Sequence, residues 1–345
     1  MVPNVGISVF GSSIESMTAL ASAADAAGFD SVWTSELYNR TASVALAAVA
    51  TRTEKCIVGS GIMYGVGRTP LILAAEARDL DELAKGRLIL GLGSGTRRMI
   101  ADWHGLDPDG PASRMEELVP LLRDLWRLNE RPVDHDGRFY RVKIRALDDL
   151  AAEIRPIPIY TAGVSPRMIE TAGRVADGLL GHSLFSPRYI EEVVRPAIER
   201  GARIRERDPA DVGFTTFVLA AIDEDEEQAR RDAAAMIAFY GSVKSYAGLF
   251  DVCGFAREAE AMRAAFARRD IDAMVAGVTD EMIDELSVAG TAQQVTERLH
   301  RFDGLADRVI LFPPAFRITP ERAAENAQQL IENCSPVALR GSEGH

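Results

Sequence analysis

Eight times along this chain, a short run of strand-forming residues is followed by a helical pattern. The strand runs fall near residues 5, 30, 57, 88, 157, 178, 214 and 308. Alternation this strict implies a parallel sheet, because a helix must carry the chain back between neighbouring strands. Eight such units within 345 residues are the pattern of a closed (β/α)8 TIM barrel. A doubly wound open sheet is the structural alternative. The expected domain is one barrel over residues 1–334, with insertions near 97–113, 131–155 and 243–290, and a flexible tail over 335–345.

Local signals support the alternation. Ile14 to Ala27 is helical, with Ser12 or Ser13 as N-cap and Gly28 as its stop. Arg68-Thr69-Pro70 opens a helix between the third and fourth strands. Gly137 to Arg145 alternates Phe139, Tyr140, Val142 and Ile144 with charged residues, which reads as an exposed strand or hairpin. Residues 243–285 carry helical patterns without a clear strand.

Composition narrows the function. A net charge of −12 argues against nucleic acid as a partner, since that binding needs a basic surface. Cys56, Cys253 and Cys334 are odd in number and widely spaced, so no disulfide framework is expected. No apolar run reaches membrane-spanning length and the first strand begins at once, so a cytoplasmic protein is expected. The five histidines show neither HxxxH nor HxH spacing, so no metal site is expected. GxSxG is absent.

The chemistry is expected where strands end in glycine. Gly59-Ser60-Gly61-Ile62 follows the third strand, and Gly91-Leu92-Gly93-Ser94-Gly95 closes the fourth. Glycines there let the backbone approach a flat ligand. A dinucleotide fingerprint fails, because its third glycine position is Thr96. Ala162-Gly163-Val164-Ser165 precedes a helix beginning at Pro166, an arrangement that suits either an anion or an ordinary cap by Ser165.

Four stretches in order resemble the bacterial-luciferase-like superfamily of flavin and deazaflavin oxidoreductases. They are Ala24 to Trp33 with Glu36, Gly59 to Pro70, Leu80 to Gly95, and Ala162 to Met168 continuing through Ala172-Gly173-Arg174 to Gly178. The fourth is most similar to the deazaflavin (coenzyme F420) branch. The resemblance implies a (β/α)8 barrel, often dimeric, with a tricyclic ring across the strand ends. It also implies a bulge at the third strand with a non-prolyl cis peptide between Gly61 and Ile62. Cofactor contacts are expected from Ser60, Gly61, Ile62, Gly93, Ser94, Ala162, Gly163, Val164, Ser165 and Gly178.

The departures matter. An aspartate–histidine pair common in deazaflavin enzymes stands here as Glu36-Leu37, so the usual imidazole is missing. Glu36, where burial raises its pKa, and His182, just after the sixth strand, are the expected catalytic acid–base residues; the alternatives are that Glu36 binds the ring's polar edge or a hydroxyl and that His182 holds the cofactor. Tyr64 is a candidate for stacking or hydrogen bonding near the ring, while Trp33 is expected in the core. By the resemblance, Thr96 stands where the family's sugar-phosphate enzyme has an acid, and Phe185 where it has a basic residue that helps hold sugar phosphate, which argues against glucose 6-phosphate. The expected activity is F420-dependent hydride transfer to or from a small organic substrate, an alcohol or ketone or an activated double bond, by a homodimer. The alternatives are an FMN-dependent monooxygenase and a non-catalytic flavin-binding barrel.

Overall fold

The computed structural model describes residues 4–147, 156–336 and 338–339. Eight parallel strands close on themselves. They are β1 (Asn4–Ser8), β2 (Ser31–Thr34), β3 (Ile57–Ser60), β4 (Leu88–Gly93), β5 (Ile159–Ala162), β6 (Gly178–Gly181), β7 (Gly213–Ile222) and β8 (Arg308–Phe312). Each pairs with the next, and β8 returns to β1 with Asn4 opposite Arg308. The (β/α)8 barrel expected from the alternation is the fold.

The helices between strands start where their sequences say they should. Helix α1 (Ile14–Ala26) begins with a reciprocal Ser13–Ser16 capping box. Helix α2 spans Ala42–Ala50. Helix α3 (Pro70–Leu83) is capped by Thr69 and has proline in its first turn. Helix α4 (Pro111–Trp126) has proline in its first turn. Helix α5 (Pro166–Val175) is capped by Ser165.

The barrel interior is filled. Trp33, Ile89, Leu180, Phe217 and Ile310 form an inner cluster, with Ile62, Ala162 and Phe312 packed on it. Trp33 is fully buried, as expected of a core residue, and its indole N–H donates to Ser31 at 2.9 Å. A larger cluster lies between the outer strand faces and the helices.

Two elements escaped the sequence pattern. Met63–Tyr64 forms a short strand beside β4, and Val288–Gly290 pairs with Ala220–Ile222 at the end of β7. Strand β7 thus runs past its barrel neighbours and carries an excursion. Helix Glu226–Gly241 is followed by Ala247–Val252, Ala256–Ala267, Ile271–Ala276 and Asp280–Leu286. A two-stranded hairpin, Val133–Asp136 with Arg141–Ile144, lies outside the barrel. Part of the insertion read near 131–155 (148–155) and part of the tail (337 and 340–345) lie outside the described residues. Leu339 is buried and its amide donates to Ser335. No helix among the described residues is long and apolar enough to cross a membrane.

Candidate active site

Chain direction fixes which end of the barrel matters. All eight strands are parallel, so the segments that leave their C-terminal ends share one rim. After Ser60 the chain steps out of β3 through a cis Gly61–Ile62 peptide and rejoins the sheet at Met63. This bulge is tied down from β2. Gly61 N–H donates to Thr34 O at 2.7 Å, Ser35 Oγ donates to Gly61 O at 2.5 Å, and Glu36 N–H donates to Ile62 O at 3.0 Å. Gly61 itself faces Phe217, where an added Cβ would lie 2.3 Å from the ring. Gly93 lies under the Ile62 side chain at a similar distance.

Glu36 does something other than acid–base work. Its carboxylate accepts a two-pronged hydrogen bond from Arg68, at 2.7 and 2.8 Å. It also accepts the Tyr64 amide at 2.8 Å and the Ala42 amide at 3.4 Å. Arg68 is held in turn by Glu76 at 2.8 Å. Burial alone would raise the pKa of Glu36, but Arg68 and the two amides hold it below the usual carboxylate value. The raised pKa expected of this residue is therefore corrected. Glu36 is a fixed anion that braces the bulge by gripping Tyr64.

His182 stands at the rim directly after β6, as its sequence position implied. Phe185, Tyr240 and Tyr246 surround it, with the two tyrosine rings 4.4 and 4.7 Å away. Its Nδ1 accepts the Leu184 amide at 3.2 Å, which leaves the proton on Nε2. Burial pushes its pKa down to about 3. A neutral imidazole is a hydrogen-bond donor near pH 7 and not a proton store, which corrects the acid–base role expected of it.

The second cradle is the start of α5. Ser165 Oγ accepts the Met168 amide, and Tyr189 donates its hydroxyl to Val164 O at 2.8 Å, fixing the turn. The amides of Val164, Ser165 and Arg167 meet no backbone acceptor among the described residues. Gly163 packs so closely on Met168 that an added Cβ would sit 2.3 Å from it. Open amides at a helix N-terminus suit a phosphate, and a backbone bulge facing an uncharged rim suits a flat ring.

The remaining expected residues divide. Ser94 lines a shallow crevice with Tyr64, Gly95, Met99 and His104. Ser60 is fully buried, and its hydroxyl bonds Gly91 on both O and N, at 2.9 and 2.8 Å. It staples β3 to β4. Gly178 is corrected, since it opens β6 at the opposite end of the barrel, against Tyr160. Arg97 and Arg98 are exposed and paired with Asp109 and Asp102. Sequence reasoning missed Arg68 as the partner of Glu36, and it missed Tyr240 and Tyr246, which reach the rim from the β7 excursion.

The sequence profile of luciferase-like monooxygenases matches residues 4–309. An uncharacterized protein of Mycobacterium tuberculosis is 33% identical over 90% of this chain and 94% of its own length. The 5,10-methylenetetrahydromethanopterin reductase of Methanolobus tindarius is 30% identical over 80% of this chain and 83% of its own. Among solved structures, the coenzyme F420 dependent tetrahydromethanopterin reductase of Methanopyrus kandleri superposes with a TM-score of 0.78. It covers 96% of this chain and 98% of its own at 23% identity.

Proposed function

Because the chain belongs to the luciferase-like monooxygenase family, a family of oxidoreductases, we propose that it uses coenzyme F420 to exchange hydride with a small organic substrate, an alcohol or ketone or an activated double bond. The observation that carries this is the presence of two backbone-built cradles on one rim: the Gly61–Ile62 bulge and the open amides at the start of α5. The reductase among its relatives adds support. When bound, the ring supplies two-electron hydride chemistry. Gly61 and Ile62 bound its face, with Gly93 and Ser94 beside them. Ala162 to Ser165 and the amides that follow hold a phosphate of its side chain. Glu36 and Arg68 keep the bulge in shape, and His182 offers a neutral N–H at the rim.

The family's description as monooxygenases supports a second reading, in which the chain uses reduced FMN with oxygen. Anaerobic titration with F420 and with FMN separates the two. Micromolar or tighter F420 binding with weak FMN binding is the expected result. Tight FMN binding, followed by oxygenation of an added ketone when reduced FMN meets air, would replace the proposal.

A homodimer is part of the proposal. Tyr38, Val44 and Ile72 are 78%, 60% and 54% exposed on the β2 loop, α2 and α3. The proposed contact between subunits is placed at these residues. Three free, buried thiols agree with a cytoplasmic address.

A further inference from the structure

With Glu36 fixed as an anion and His182 held neutral, neither residue is an acid at neutral pH. The rim nevertheless holds other donors. Tyr64 leaves the bulge 6% exposed, and its ring meets His104 edge-on at 5.5 Å. From the other side of the mouth comes Tyr246, half-buried, 4.7 Å from His182 and 5.1 Å from Tyr240. Burial and the nearby Glu36 raise the Tyr64 pKa to about 12. Burial, then Tyr240 and Tyr64, raise that of Tyr246. Both phenols therefore keep their protons. The Tyr240 hydroxyl has Ser183 beside it. The hydroxyls of Tyr64 and Tyr246, and Nε2 of His182, meet no hydrogen-bond partner among the described residues. None of the three is among the fully buried polar atoms left without a partner, so each remains accessible with its bond unmade.

The charge balance of the rim is equally informative. Glu36 is neutralised by Arg68, and Arg97 and Arg98 are paired outward. We infer that Tyr64, Tyr246 and His182 together receive one oxygen of the substrate, and that this oxygen is an uncharged carbonyl or hydroxyl, as in a ketone, aldehyde or alcohol. The inference rests on the hydride-transfer reading. Hydride arriving at a carbonyl carbon puts negative charge on its oxygen, where neutral, preorganised donors stabilise it. A carboxylate or phosphate carries full charge from the start, and none of Tyr64, Tyr246 and neutral His182 supplies a counter-charge for it.

The test uses the full chain loaded with oxidised F420, so that no turnover occurs. Acetophenone and benzoate, near-isosteric and differing in charge, are titrated by calorimetry into the parent, Tyr246→Phe and Tyr64→Phe. Phenylalanine keeps each ring and removes only the hydroxyl. Acetophenone is expected to bind the parent more tightly than benzoate. Each variant is expected to lose about tenfold in acetophenone affinity, the value of one hydrogen bond, with F420 affinity unchanged within about twofold. Benzoate binding as tightly as acetophenone overturns the inference. So does a Tyr246→Phe protein with parent affinity, or a parent that does not bind acetophenone. A parent that fails to bind F420 overturns the cofactor reading and this inference with it.

Discussion

Replacing Glu36 with glutamine tests whether that carboxylate is a brace or a proton donor. The side chain is 7% exposed and its partner Arg68 is 13% exposed. Glu36→Gln would turn an amide NH2 toward the Arg68 fork, setting donor against donor. Removing one partner of a buried pair costs about 3–5 kcal/mol. Arg68 keeps Glu76 at 2.8 Å, so a loss at the lower end, about 3 kcal/mol, is expected. With a urea m-value of about 3 kcal/mol/M, the unfolding midpoint should fall by roughly 1 M at pH 7. The pH dependence supplies the sign. Glu36 has a folded pKa below its unfolded one. Its contribution is complete above the unfolded value and disappears as pH falls through the folded value. The gap between parent and variant should therefore be full at pH 7 and shrink below about pH 4.5. Urea titrations at both pH values decide the matter. A variant within about 0.5 kcal/mol of the parent at pH 7, or a gap that widens on acidification, would refute the brace.

Three further outcomes are expected. The His182 ring should stay neutral from pH 8 to 5, leaving its carbon-bound proton resonances flat; a titration near the ordinary value of about 6.5 would contradict its burial among Phe185, Tyr240 and Tyr246. Gly61→Val drives a side chain toward Phe217, where even a Cβ would stand 2.3 Å away. It should cost about 1–3 kcal/mol and weaken F420 binding at least tenfold, whereas parent-like affinity by fluorescence titration would remove the bulge from the cofactor site. Ile72→Glu should halve the sedimenting mass if α2 and α3 form the contact between subunits, and an unchanged sedimentation coefficient would place that contact elsewhere.

The barrel was legible because each strand is a short apolar run ended by glycine, polar residues or a cap, and each connection carries helical spacing. Val288–Gly290 was not, since three residues are too few to show a period. The site was legible where backbone makes it: the glycine-ended third strand and the α5 start showed in turn chemistry, and the family resemblance added the bulge at Gly61–Ile62. It was hidden where side chains from distant segments meet. Glu36 and Arg68 are 32 residues apart, and nothing local to either marks a bidentate pair. Gly178 was misplaced because it came with the fourth resembling stretch, although chain direction puts the first residue of β6 at the end of the barrel away from the rim. Tyr240 and Tyr246 looked like ordinary residues at a helix end. The signal that could have found them was two tyrosines six residues apart where the helix after the seventh strand gives way to the insertion.

The overlong seventh strand has one more consequence. Its last three residues bind a partner strand that no barrel neighbour uses, so the canopy beside the rim is hung from a peg of its own. Sequence drift within that canopy, including the segment that brings Tyr246, need not loosen the hoop beneath. Substrate preference and redox scaffold can diverge at different rates within one polypeptide.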